Sequence, residues 1–119
     1  MISESEMHHH QTEWFINDGP TDLVFTRTPM VDDGAGGKQK GSPFNLLPQK
    51  VRVVGVRNDA VFITTDGRRI QIHKKIVGKE GLDVDHGDRF MFDGIDYEVI
   101  DIQRDPYWRV EVEASRRGN

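Results

Sequence analysis

GDRFMFDGIDYEVIDIQRDPYWRVEVEASR, Gly87 to Arg116, is the stretch that decides the fold. Two turn signals, Asp93-Gly94 and Asp105-Pro106, punctuate three runs in which apolar and polar residues alternate. Period-two alternation marks strands with one buried face, and Asp-Gly supplies the left-handed backbone that a two-residue hairpin turn needs. With a turn at Asp93-Gly94, Phe92 falls opposite Ile95, Phe90 opposite Tyr97 and Arg89 opposite Glu98. Aromatic and opposite-charge pairs across strands each contribute ~0.2–1 kcal/mol. A second hairpin around Arg104 to Tyr107 sets Ile102 against Trp108, Ile100 against Val110 and Asp101 against Arg109. Tyr97 and Val99 are out of phase with Ile100 and Ile102, so a bulge is expected near residues 99–100, where it lets one strand serve two hairpins in a curved sheet. The stretch carries no catalytic group and no metal-ligand spacing, which points to binding or assembly.

Upstream, residues 76–87 read as a turn-rich connection. Before it, Val61–Thr64 and Arg69–Ile72 flank Asp66-Gly67, a hairpin signal that places Ile63 opposite Ile70 and Val61 opposite Ile72 on one face. Lys74 and Lys75 end that unit. Val51, Val53, Val54 and Val56 make a strand whose alternation slips beside Gly55, where a bulge or bend is expected.

Thr28 to Pro48 has no period and contains Gly34, Gly36, Gly37 and Gly41 with Pro29, Pro43 and Pro48. Lys38 and Lys40 put positive charge near its tip, and Phe44, Leu46 and Leu47 anchor its end. Structureless loops above ~12–15 residues are uncommon in compact domains and are usually functional or disordered. The segment reads either as a floppy insertion or as a loop that orders against a partner. Leu23-Val24-Phe25 is a short strand candidate. Asn17-Asp18-Gly19-Pro20 is a turn, and Trp14, Phe15 and Ile16 form an apolar cluster that docks on a body. Ahead of them lies a polar, mobile arm.

The expected fold is therefore mainly β: a small antiparallel β-barrel with an N-terminal arm over residues 1–21. A single barrel domain spans residues 22–119, with a long loop at 28–48 after the first strand. No segment shows a clear 3.6-residue apolar period, and no internal repeat is present.

The 119 residues are 35% hydrophobic and 30% charged, which means one modest core under a strongly polar surface. No apolar run approaches the ~20 residues of a membrane span, and the first residues lack the basic and apolar regions of a secretory signal. The absence of cysteine excludes disulfides and thiolate metal sites. Charge is banded: residues 1–36 hold seven acids and one base, residues 37–79 ten bases and two acids, residues 80–119 eleven acids and five bases. Such bands are either a solvated surface or complementary faces through which copies meet.

His8, His9 and His10 are consecutive residues on the arm and do not make a preorganised metal site. They read as a possible tag remnant. Asp83, Asp85 and Asp88 with Gly87 match only part of a calcium loop, so turn formation and solubility are the expected roles. Carboxylates such as Glu111 and Glu113 occupy alternate positions facing water, without the burial that separates catalytic pKa values. His73 and His86 lack a serine nucleophile in a recognisable elbow, and Gly34-Ala35-Gly36-Gly37 does not lie between a strand and a helix as a phosphate loop must. No enzyme activity, metal or cofactor is expected. Nucleic acid is the serious alternative, because Lys50, Arg52, Arg57, Arg68, Arg69, Lys74 and Lys75 lie on or beside strands. The aromatics Phe90, Phe92, Tyr97 and Trp108 are elsewhere, however, and look like core. A basic face without interleaved aromatics supports phosphate contact rather than sequence reading.

The order LVFTR at Leu23–Arg27, DDGAGG at Asp32–Gly37, LPQKVRVVGV at Leu47–Val56 and the Gly87–Arg116 stretch resembles the head–tail joining proteins of long-tailed bacteriophages, the head-closure or stopper class. The resemblance covers roughly residues 22–116; the insert Arg57–Lys79 and the histidine-bearing arm have no counterpart in it. It implies a viral structural protein, made in the host bacterial cytoplasm and located in the virion neck. There it would form a homo-oligomeric ring, expected as a hexamer, that closes the DNA-filled head and joins it to the tail. A portal-adaptor ring would lie above, a tail-terminator or tail-tube ring below. Contact with packaged DNA would be non-specific, and no membrane is involved. Carried onto this chain, the channel or partner loop is Asp32, Asp33, Gly34, Gly36, Gly37, Lys38, Lys40 and Phe44. The basic face for DNA or a neighbouring subunit is Lys50, Arg52, Arg68, Arg69, Lys74 and Lys75. Two alternatives stand beside this: a tail-terminator ring protein, expected to contain helices, and a small β-barrel nucleic-acid-binding module.

Overall fold

In the computed structural model, which describes residues 4–57, 60–105 and 109–117, the N-terminal segment is not an arm but a helix, α1 (Glu4–Asp18). Thr12 and Ile16, one turn apart, are its buried residues among those whose side chains are described. Phe15 lies beneath the Arg52 guanidinium, 4.3 Å from the ring centroid, and Trp14 remains 72% exposed. Gly19-Pro20 stops the helix; the Gly19 N–H donates to Ile16 O and Arg52 Nη1 donates to Phe15 O, satisfying carbonyls at its C-terminal end. Among the described residues no helix is long and apolar enough to cross a membrane.

The remainder is β. The strands are β1 (Thr21–Leu23), β2 (Thr26–Arg27), β3 (Met30–Asp32), β4 (Lys38–Lys40), β5 (Phe44–Asn45), β6 (Gln49–Gly55), β7 (Val61–Ile63), β8 (Arg69–Gln71), β9 (Lys74–Lys79), β10 (Arg89–Phe92), β11 (Ile95–Asp105) and β12 (Arg109–Arg116). Eight of them form one antiparallel sheet in the order β1-β6-β9-β12-β11-β10-β2-β5, curled into a half-barrel. β3–β4 and β7–β8 are separate two-stranded sheets. The chain passes directly from β1, at one margin of the large sheet, to β2, near the other, through Val24 and the fully buried Phe25. One segment thus spans both margins, and its aromatic side chain fills the space between them.

The curl surrounds a core of Leu23, Phe25, Val51, Ile76, Leu82, Val84, Phe90, Tyr97, Val99, Val110, Val112 and Ala114. Phe90 stacks on Tyr97 at 5.3 Å and meets Phe25 edge-on at 5.7 Å, contacts worth ~0.5–1.5 kcal/mol beyond area burial. The expected pairs Phe92–Ile95, Phe90–Tyr97 and Arg89–Glu98 are all present. The turn between them has positive φ at both Asp93 (52°) and Gly94 (76°). A register shift between Val99 and Asp101 supplies the expected bulge.

Other registers differ from expectation, each for a physical reason. In the last hairpin Ile102 pairs with Val112, Arg104 with Val110 and Asp101 with Glu113, so the expected partners of Ile100, Asp101 and Ile102 are displaced. This register points Val110, Val112 and Ala114 into the core together with Val99. Pro106, Tyr107 and Trp108, on which the rest of the expected turn falls, lie outside the described residues. In β7–β8 Phe62 pairs with Ile70 and Ile63 with Arg69, because the turn has three residues, Thr65 to Gly67, with Gly67 at φ +86°. The extra residue moves Val61 and Ile63 to the outer face. Lys74 and Lys75 begin a strand rather than end one, and Ile76 and Val77 continue it. Ile76 faces the core while Val77 faces α1, so both sides are covered and the alternation that marks a half-exposed strand is missing. Gly55 carries no bulge: pairing from Arg52 to Gly55 is continuous and β6 ends there.

Candidate assembly surfaces

Thr28–Pro48, expected as a loop, is mostly folded. β3 and β4 pair from Met30↔Lys40 to Asp32↔Lys38. The tip is built by Asp33, whose Oδ1 accepts from Ala35 N (2.8 Å) and Gly37 N (3.0 Å), while Asp33 N donates to Gly37 O. Those backbone donors hold the Asp33 carboxyl below the usual carboxylate range. Gly34 and Gly36 supply the positive φ values, 83° and 88°, that the tip requires. Lys38 pairs with Asp32 at 3.0 Å, with both side chains largely exposed. Lys40 is exposed at the hairpin base, where Gly41 N donates to Pro29 O at 2.7 Å. Phe44 is not on this hairpin; it pairs with Arg27 from the marginal strand β5 and is 47% exposed.

The hairpin leaves the half-barrel immediately after Arg27, the one base of the first 36 residues. Arg27 Nε and Nη2 grip Asp88 at 3.0 and 2.8 Å, Nη2 also reaches Asp83 at 3.1 Å, and Nε lies 3.4 Å from Asp85. Asp88 is 2% exposed. Its hydrogen bonds raise the Arg27 pKa above the ordinary guanidinium value, against the opposing effect of burial. Gln49 exchanges two hydrogen bonds with the backbone of Asp83, and Arg104 donates to Leu82 O and Val84 O. Three side chains from different strands therefore clamp residues 80–88. The aspartates that partly match a calcium loop are the counter-charges of this clamp, and no metal-ligand cluster occurs among the described residues. Sequence reading missed the clamp; its signal was a lone arginine in an acidic segment and an aspartate-rich turn far along the chain. Between the hairpin base and the clamp lies an open cleft of about 740 Å³, lined in part by Arg27, Met30, Lys40, His86 and Arg117.

The six bases assigned to one face are dispersed. Lys50 is exposed on β6 opposite Asp22. Arg52 is taken up by α1 through Phe15 O and Asp18 (3.5 Å). Lys75 pairs with Glu111 at 3.0 Å. Lys74, the next residue, points to the opposite side of β9, where it approaches the Phe92 ring at 5.7 Å. Arg68 pairs with Asp66 in the β7–β8 turn, and Arg69 is exposed beside it. The charge bands are thus partly consumed within the chain, because β6 and β9 pack against the acidic α1 and β9 pairs with β12, which carries Glu111 and Glu113. Lys79 with Glu13 (3.4 Å) is a further such pair.

The outer face of β9, β11 and β12 carries Asp101, Glu111 and Glu113 with Lys75 and Arg109. Burial first, then Asp101 and Glu111, push the Glu113 carboxyl up, with Lys75 opposing. His73, between β8 and β9, accepts a hydrogen bond at Nδ1 from Arg116 N (2.9 Å), and burial followed by Arg116 lowers its pKa. His8, His9 and His10 lie on α1, and their side chains are outside the described set.

A scan against models of known protein families finds no match, and a search of the curated proteins finds no relative.

Proposed function

We propose that this chain is a structural protein of a tailed-phage neck, forming a ring that closes the filled head and receives the tail. The observation that carries the reading is the pairing of a rigid half-barrel with a preformed hairpin, β3–β4, clamped at its base and paired with no strand of the main sheet. The mechanism is mechanical. The hairpin narrows or blocks a channel, or contacts the neighbouring subunit, and rearranges when the tail docks. Identical copies meeting through different faces generate a closed ring. Portal-adaptor and tail rings are the partners on either side, and Lys38 and Lys40 provide salt-sensitive contact with DNA or with an acidic neighbour. The resemblance of Leu23–Arg27, Asp32–Gly37, Leu47–Val56 and Gly87–Arg116 to head-closure proteins supports the same reading.

The test is electron microscopy of lysates from a phage lacking this gene. Separate heads and finished tails are expected, with empty heads among them if the protein also retains DNA. Intact tailed particles would overturn the reading. Tight, salt-sensitive binding of single-stranded DNA by the isolated protein would replace it with a nucleic-acid module.

A further inference from the structure

Three strands begin or end at one mouth of the half-barrel: β6 stops at Gly55, β9 starts at Lys74 and β12 runs out at Arg116. Gly55 pairs with Lys74, Tyr97 pairs with Arg116, and His73 N donates to Ala114 O. Successive side chains on a strand point to opposite faces. Lys74 is two residues from the buried Ile76 and Arg116 two from the buried Ala114, so both cations point to the concave side, just beyond the last core residues. With His73, Arg57 and Tyr97 they line an open pocket of about 270 Å³. A Cβ at Gly55 would meet nothing within 4 Å, so β6 leaves the pocket open at that position.

Among the described residues no carboxylate lines this pocket, and Lys74 and Arg116 form no ion pair. Lys74 Nζ lies 5.7 Å from the Phe92 ring centroid. Asp96, next to Tyr97 on β11, is paired with Arg117 at 3.5 Å. Arg52, Lys75 and Lys79 on β6 and β9 each have a carboxylate partner within the chain. The mouth thus gathers the cations that the chain leaves uncompensated. His73 adds a donor without charge: its Nδ1 accepts from Arg116 N at 2.9 Å, so in the neutral ring the proton sits on Nε2. Burial, then Arg116, lowers the His73 pKa, which keeps the ring neutral at pH 7.

We propose that this pocket binds a phosphate group, with Lys74 and Arg116 supplying the charge and His73 Nε2–H a neutral hydrogen bond. Phosphate suits it better than a carboxylate because its oxygens can engage donors on separate strands at once. The volume, below the ~300–1,000 Å³ of drug-sized sites, suits one such group and not a whole cofactor. The group belongs to a free phosphate compound or to a nucleic-acid backbone, which present the same oxygens. This inference goes beyond the neck reading and does not depend on it.

The test is an NMR titration of the full, isotope-labelled chain with inorganic phosphate, at ionic strength held constant with sodium chloride. Saturable shifts are expected at the amides of His73, Lys74 and Arg116, the last because its N–H is bonded to His73. Lys74→Met and Arg116→Gln should each weaken binding several-fold, and Arg116→Lys should keep most of it. Lys50→Met, at an exposed base on the other face of β6, should leave it unchanged. Amide spectra unchanged away from each substitution verify that the variants are folded. An oligothymidylate without terminal phosphate then separates the sources. Shifts at the same amides, lost in the same variants, assign backbone phosphodiesters, and their absence assigns a free phosphate. The proposal is overturned if phosphate gives no saturable shift at these residues, if chloride alone gives the same shifts, or if Lys50→Met weakens binding as much as Lys74→Met. A failed titration discards the pocket and leaves the neck role standing, whereas intact tailed particles in the gene-deletion lysate discard the neck role alone.

Discussion

Replacing Arg27 by methionine removes the centre of the clamp while keeping most of the side-chain stem. Asp88, 2% exposed, loses two charge-assisted hydrogen bonds of 2.8 and 3.0 Å and retains the one it accepts from Asp85 N at 2.8 Å. Breaking a buried ion pair by deleting one partner costs ~3–5 kcal/mol. Arg27 is 21% exposed, so water can reach part of the vacated space, and the lower end, ~3 kcal/mol, is the expected loss. That is a large share of the ~5–15 kcal/mol that stabilises a typical domain. With a urea slope of roughly 1.5 kcal/mol/M, the midpoint should fall by about 2 M. The internal comparator is Lys38→Met, which removes the Lys38–Asp32 pair, 65% and 80% exposed, and should cost ~0–1 kcal/mol. A double-mutant cycle of Arg27→Met with Asp88→Asn should show a coupling of roughly 2 kcal/mol. The pKa of Arg27 is raised on folding, so its own titration removes none of the contribution at neutral or mildly alkaline pH, and the loss in Arg27→Met should persist at pH 9. If Arg27→Met costs no more than Lys38→Met, or the coupling is below ~0.5 kcal/mol, the clamp does not hold residues 80–88 and the argument for a rigid hairpin base fails.

Three further outcomes follow from the geometry. Glu113 has its pKa raised on folding, so its contribution is favourable below the unfolded carboxyl pKa and is lost as pH rises through the folded value; Glu113→Gln should melt above the wild type at pH 7 and lose that advantage near pH 4, and a lower melting temperature at pH 7 contradicts this. His73 has a lowered pKa, so stability present above the unfolded histidine value is lost as pH falls through the folded one, and His73→Asn should flatten the stability profile between pH 7 and 5. A Cβ at Gly78 would stand 2.7 Å from Leu82 Cδ2, so Gly78→Ala should destabilise by ~1–3 kcal/mol through overpacking, read by urea unfolding.

What the sequence revealed, and what it hid, divides along burial. Arg89 to Glu98 was legible pair by pair because its strands bury one face only and its turn is an Asp-Gly. The bulge at Ile100 was legible as a phase slip. β9 was hidden because α1 covers its outer face, which makes Ile76 and Val77 look like neither alternation nor helix. α1 itself was hidden because, among its described side chains, Thr12 and Ile16 are the buried ones, too few to show a 3.6-residue apolar period. The β7–β8 register was missed by one residue because Asp66-Gly67 fits both a two-residue and a three-residue turn, and only the left-handed Gly67 after Thr65-Asp66 selects the second. For the candidate surfaces, the tip residues Asp33, Gly34 and Gly36 were singled out within a segment left open between a floppy insertion and a partner loop, and the structure shows them ordering the tip within the chain itself. The Arg27 clamp joins residues 56 to 61 positions apart, a separation at which charge pattern alone carries no pairing information.

The order of the tip matters for the neck proposal, because a gate made from a floppy insertion and one made from a formed hairpin work differently. A floppy loop must pay its ordering entropy each time it seals the channel. A hairpin with its tip closed by Asp33 and its base held through Arg27 and Gly41 has already met that cost in the free subunit. In the neck proposal it would move as one piece about residues 28–29 and 41–43, which carry Pro29 and Pro43. Deleting Gly34–Gly41 should therefore leave the half-barrel folded, since neither β3 nor β4 pairs with the main sheet, while joining or DNA retention is lost in infection. Asp33→Ala should keep the hairpin but speed amide exchange at Ala35 and Gly37, giving particles that join tails yet leak DNA. If the deletion yields fully infectious particles, the hairpin has no part in closure. If Asp33→Ala behaves like the full deletion, tip order itself is what the ring requires, and a hinged gate is the wrong picture.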